Sequence, residues 1–178
     1  MGHGLFVIDS TFLLEASTFH GAPLLQDSSG RDTTILFGFA RDLLRLRKEL
    51  GMRNALIVFG NDLPCLPDSR ILRLSIFLKR LHVPVLYSKG IRVGNVCAAL
   101  AECCTWIVTG NKAMLQLINH RCNVIVPKKG VDLDVVTVAS IRDQLGVSPS
   151  QVPYLFALTE RVRKDHPLRA VRAMVDEV

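Results

Sequence analysis

No Cys-x-x-Cys pair occurs in this 178-residue chain, and its cysteines are odd in number: Cys65, Cys97, Cys103, Cys104 and Cys122. That set argues against a disulfide framework and a zinc site, and the expectation is free, buried, reduced thiols. No apolar run approaches the ~18 residues of a membrane span. No charged-then-apolar leader opens the chain, so a soluble cytoplasmic protein without a membrane partner is expected. Ser10 lies in no Gly-x-Ser-x-Gly context, which removes a nucleophile elbow. Lys129-Gly130 is reversed relative to a phosphate loop. His3, His20, His82, His120 and His166 are scattered without metal-ligand spacing and are expected at the surface. The single tryptophan, Trp106, sits in an apolar strand pattern and reads as core rather than as a base-stacking platform. Acids are the scarcer charge, 16 against 22 Lys and Arg, giving +6. That surplus suits a phosphate-bearing partner, although many basic proteins bind no anion.

What is present is an ordinary globular composition, 49% apolar and 21% charged, at a length that suits one α/β core. The run Leu5-Phe6-Val7-Ile8 ends in Asp9-Ser10. An uninterrupted apolar run reads as a buried parallel strand, and its C-terminal end is where open α/β sheets place their chemistry. Further strands are expected at 54–59, 84–87, 105–109 and 122–126. Helices are expected at 11–19, at 33–50 behind an Asp32 or Thr33 cap and before Gly51, and at 68–81. More follow from about Asn95, at 112–118, at 133–145, from Pro149 to about Lys164, and from Pro167 onward. The alternation argues for a three-layer, mostly parallel sheet of about five strands, with helices on both faces. The core is expected over 1–146, with appended C-terminal helices over 147–178. Arg41, Arg45, Arg47 and Lys48 on the second helix read as a solvated face, or alternatively as a basic ridge.

Three strand ends carry Gly-Asn: 60–61, 94–95 and 110–111. Asn caps helices and Gly permits tight turns, which explains Asn95 and Asn111 better than Asn61. With LFVIDS at 5–10, ALIVFG at 55–60, VPVLYSKGIRVGNVCAALAE at 83–102, TWIVTGNKAMLQLI at 105–118 and GVSPSQVPYLFALT at 146–159, the order of elements resembles a known family. It is similar to the 5′-nuclease domain of bacterial DNA polymerase I and its flap-endonuclease relatives, within the PIN-like fold. The resemblance spans about nine-tenths of the chain.

The resemblance implies a cluster of carboxylates holding two divalent ions about 4 Å apart. This chain departs from that pattern. Asp9 remains. Gly60 stands where the acid after the second strand is expected. Arg92, Val93, Gly94 and Asn95 replace the cluster after the third strand, and Gly110, Asn111 and Lys112 replace the acids after the fourth. Arg161, Arg163 and Lys164 intervene near the end of the match. Only about 23 residues separate Gly60 from Val83, where the family has a long arch.

The leading expectation is therefore a pseudo-nuclease, without a cofactor, that binds nucleic acid, DNA rather than RNA, at the C-terminal strand ends. Arg92, Lys112, Asn111, Lys89 and Arg161 are its candidate phosphate ligands, against the plainer alternative that these bases are solvated or neutralise Asp9. A second reading is a protein-interaction scaffold or homo-oligomer, in keeping with a mean hydropathy of +0.29. A third is an active Mg2+-dependent 5′-nuclease acting on DNA, in which Asp62, Glu102 or Asp165 joins Asp9 as metal ligand or catalytic acid.

Overall fold

The computed structural model describes residues 4–17, 24–60, 68–88, 90–127 and 133–153. Among these residues six strands form one sheet: β1 (Leu5–Asp9), β2 (Asn54–Phe59), β3 (Val85–Tyr87), β4 (Trp106–Val108), β5 (Asn123–Pro127) and β6 (Leu133–Val136). Their order is β3-β2-β1-β4-β5-β6. All neighbours are parallel except β5 and β6. Among the described residues five α-helices accompany them: α1 (Ser10–Ser17), α2 (Thr34–Leu50), α3 (Asp68–Arg80), α4 (Val93–Leu100) and α5 (Val138–Leu145).

The chain steps outward from β1 to β2 to β3, then returns to lay β4 on the other side of β1. The crevice at such a reversal opens between the carboxyl ends of the two strands, here β1 and β4. Alternate residues of each strand feed two cores. Phe6, Ile8, Ile57, Phe59 and Val108 pack with Leu13, Phe39, Leu43, Leu74 and Leu78 of α1, α2 and α3. Val7, Val58, Ile107 and Val124 pack with Val93, Val96, Cys97, Leu115 and Ile141 on the opposite face. Because both faces are covered, the inner strands carry apolar residues at consecutive positions through their middles, and that is why they read as continuous runs.

Helix α2 shows how local chemistry fixes an element. Asp32 accepts a hydrogen bond from the Thr34 amide at 2.9 Å, so Asp32 supplies the cap and the Thr33 side chain does not. Phe39, Leu43, Leu46 and Leu50 recur at helical spacing and are buried. Each contributes about 1.5–3 kcal/mol by leaving water. Gly51 ends the helix at φ 62°, a left-handed conformation that costs glycine nothing. Arg41 and Arg45 pair with Asp42 and Glu49 at 2.8 and 2.9 Å on the helix surface, contacts worth at most about 1 kcal/mol each.

Several expectations are corrected. The stretch 133–145 is not one helix. Leu133–Val136 pairs antiparallel with β5 as the sixth strand, and only Val138–Leu145 is helical, opened by a Thr137–Ser140 capping box. Lys112–Leu117 is a 3-10 helix rather than an α-helix. Helix α4 begins at Val93, ahead of Asn95. Cys103 is exposed, whereas Cys97, Cys104 and Cys122 are buried; none of the four forms a disulfide among the described residues. His82 and His120 are exposed. Trp106 is half-buried and stacks on Phe6 with ring centroids 6.0 Å apart. Pro149–Gln151 forms a 3-10 turn, and Val152 is fully buried in the core beneath α4 and α5. The helix expected from Pro167 onward, the helix from Pro149 beyond residue 153, Cys65, and His3, His20 and His166 lie outside the described residues. No helix among the described residues is long and apolar enough to cross a membrane.

Candidate functional site

Asp9 is the last residue of β1 and is 3% exposed. Burying a carboxylate is costly unless its oxygens find donors, and both do. Oδ1 accepts the Thr11 amide at 2.8 Å. Since α1 starts at Ser10, Asp9 is the N-cap of that helix. Oδ2 accepts the Thr109 hydroxyl at 2.7 Å, with both groups buried. Thr109 Oγ1 in turn accepts the Asn111 amide at 3.0 Å. A relay thus runs from the Asn111 N–H through the Thr109 hydroxyl to Asp9. It ties the turn after β4 to the end of β1, inside the crevice created by the strand reversal.

Thr109 was not singled out in the sequence. Its role depends on sheet order: Ile8 pairs with Val108, so the next residues, Asp9 and Thr109, stand side by side. A hydroxyl just past an apolar strand was the available signal, but nothing local says that β4 lies beside β1. Ser10 is also fully buried, and its hydroxyl has no partner among the described residues.

The remaining candidates divide. Asn111 precedes the 3-10 helix and its side-chain oxygen accepts the Ala113 amide at 3.0 Å, so it caps that turn. Its side-chain nitrogen is the group left to donate. Lys112 is half-buried at the first position of the same turn. Arg92 is exposed immediately before α4. The first turn of α4 lies against the 3-10 helix, where a Cβ on Gly94 would stand 3.4 Å from Met114 Cε. Arg92 and Lys112 therefore start adjoining segments. Gly110 faces Phe12 of α1 closely enough that an added Cβ would lie 3.2 Å from Phe12 Cβ. Gly60 is buried at the end of β2. Lys89, Arg161, Asp62 and Asp165 lie outside the described residues, and Glu102 is exposed just after α4.

Among the described residues, no three His, Cys, Asp or Glu side chains come together in a way that would hold a metal ion. Divalent magnesium demands several hard, charged oxygen ligands. One buried carboxylate whose two oxygens already serve the Thr11 amide and the Thr109 hydroxyl is a poor fit to a two-ion centre.

No family model matches the chain. It is 26% identical over 179 residues to DNA polymerase I of Pseudomonas aeruginosa, spanning 86% of this chain and 19% of that protein. It is likewise 26% identical over 178 residues to the 5′-3′ exonuclease of Aquifex aeolicus, spanning 86% of this chain and 60% of the exonuclease. The chain thus spans less than two thirds of either relative. In three dimensions it is similar to the catalytic core of Rad2 in complex with DNA substrate, with a TM-score of 0.68 at 14% identity, over 98% of this chain and 62% of that one. The chain resembles a 5′-nuclease domain and has the mostly parallel α/β fold of the 5′-nuclease, PIN-like class.

Proposed function

We propose that this chain is a 5′-nuclease-like protein that has lost metal-dependent cleavage and binds nucleic acid, DNA in preference to RNA, through phosphate contacts at the C-terminal ends of β1, β3 and β4. The observation that carries this reading is the state of Asp9: buried, accepting the Thr11 amide as the cap of α1, and clamped by the Thr109 hydroxyl. Among the described residues Asp9 belongs to no group of three or more His, Cys, Asp or Glu side chains that could hold a metal ion. Arg92 and Lys112 stand at the starts of two adjoining segments where the resemblance calls for acids. Cations at those places favour phosphate without an intervening metal and oppose divalent ions by Coulomb repulsion. The net charge of +6 supports the same partner. The Rad2 core, whose fold is shared, was captured with DNA substrate, which supports nucleic acid as the ligand class.

The test is cleavage and binding on the same samples. Labelled flap, single-stranded and duplex DNA are incubated with Mg2+ or Mn2+, and binding is followed in EDTA across a salt series. The expected result is no cleavage, with salt-sensitive binding that weakens when Arg92 and Lys112 are changed to Glu. For a single strand, each phosphate that is no longer neutralised lowers the slope of log affinity against log salt by about 0.7. Cleavage that Asp9→Ala abolishes overturns the proposal.

A further inference from the structure

At the opposite end of the sheet, the N-terminal ends of β1 and β2 open into a groove of ≈ 510 Å³. It lies between the C-terminal half of α2, the turn before β2 and the turn after α3. We propose that this groove docks an acidic, amphipathic helical segment of a partner protein.

The floor is apolar, formed by Leu43, Met52 and Leu56. Leu44 and Leu81 line the groove yet remain 58% and 44% exposed. The size falls within the ~300–1,000 Å³ of clefts that accept ligands. Leucine-sized side chains projecting at helical spacing from a partner would cover these surfaces, the mode by which amphipathic helices enter grooves. The rim fixes the sign of the partner. Arg47, Arg53 and His82 border the groove, and no Asp or Glu does. Among the described residues neither Arg47 nor Arg53 pairs with a carboxylate. Acidic residues flanking an apolar stripe complement that rim. A nucleic acid does not suit a leucine and methionine floor. A second copy packed across a two-fold axis would bring the rim arginines toward one another. The groove lies away from Asp9, so docking here leaves the C-terminal strand ends open.

The experiment selects from a displayed library of random amphipathic helical peptides on the full chain, then measures the affinity of the enriched peptides by fluorescence anisotropy. The expected outcome is enrichment of leucine-bearing peptides with excess Asp and Glu. Their binding should weaken about tenfold or more on Arg47→Glu/Arg53→Glu and on Leu44→Asp, and fall with rising salt. The milder Arg47→Gln/Arg53→Gln variant preserves the fold and should show the same direction. Absence of enrichment, enrichment without an acidic excess, or binding indifferent to these variants overturns the proposal. A photo-crosslinking amino acid in place of Leu44, in the purified protein alone, gives a second readout. Crosslinks to a second copy, or to this chain beyond residue 153, assign the groove to those occupants and also overturn it.

Discussion

Replacing Thr109 by valine removes one oxygen from the centre of the relay and keeps the shape of the side chain. Thr109 is fully buried and Asp9 nearly so. The bond removed runs from a hydroxyl to a carboxylate at 2.7 Å. A hydrogen bond to a charged group contributes about 1.5–3 kcal/mol, and the orphaned oxygen belongs to a side chain that is nearly all buried. The Asn111 amide loses its acceptor as well. Asn111 is exposed, so water replaces that partner and the added cost is only about 0.5–1 kcal/mol. The expected sum is about 2–4 kcal/mol, read as a lowered midpoint in urea at neutral pH with an unchanged slope. Thr109→Ser keeps the hydroxyl and should cost about 1 kcal/mol or less for its missing methyl. In an Asp9→Ala background the valine substitution should lose most of its effect, since the partners then share no bond. A valine variant no less stable than the serine variant would refute the clamp.

Three other perturbations test other parts of the structure. Gly4 has φ +124° and its added Cβ would overlap Thr105 Oγ1 and lie 2.7 Å from Thr105 Cβ, so Gly4→Ala should cost at least about 2 kcal/mol from strain and crowding. Calorimetry should show this as a Tm lowered by about 4 °C or more. Phe59→Ala empties a fully buried site stacked on Phe39, with centroids 6.2 Å apart; urea unfolding should show a loss of about 3–5 kcal/mol. Peptide mapping after brief iodoacetamide treatment should find Cys103 alkylated well before Cys97, Cys104 and Cys122, because only Cys103 of these four is exposed. Cys104 and Cys122 lie with sulfurs 3.4 Å apart, and their hydrogen bond together with burial pushes the Cys122 thiol well above its ordinary range. Early labelling of Cys122 would contradict that environment.

The inner strands were legible because a parallel sheet covered on both faces demands apolar residues at consecutive positions, as in Phe6-Val7-Ile8 and Ile57-Val58-Phe59. The edge was less so. Leu133, Val136, Ile141 and Leu145 are spaced as a helix would space them, and the pattern extends through Thr137 without a glycine or proline. The β-branched pair Val135-Val136 and the capping pair Thr137–Ser140 were the local signs of a strand followed by a new helix. The turn after Asn111 reads as a helix of ordinary kind because Met114, Leu115 and Ile118 are all buried. Six residues between two fixed points at Asn111 and Ile118 wind instead into the tighter 3-10 form. At the site, Asp9 was visible as an acid ending a strand. Its clamp was not, since Thr109 meets it only through the pairing of β1 with β4, a hundred residues apart.

That clamp changes what the survival of Asp9 signifies. An acid at this strand end serves folding in two ways, by capping α1 and by anchoring the turn after β4 to β1. Both uses require the carboxylate to accept protein donors, and both persist if no metal ever binds. Metal chemistry makes a different demand, that several carboxylates present free lone pairs to the same point in space. A lone acid can satisfy the first demand without the second. Among the described residues the arrangement at the ends of β1 and β4 does so: Asp9 keeps its donors, Gly60 follows β2 without a side chain, and Arg92 and Lys112 bring positive charge to the starts of α4 and the 3-10 helix. The presence of Asp9 is thus accounted for by the energetics of the fold, and it carries no weight by itself for cleavage. The proposed loss of cleavage rests instead on Arg92 and Lys112, the cations at the starts of two adjoining segments where the resemblance to the 5′-nuclease domain calls for acids.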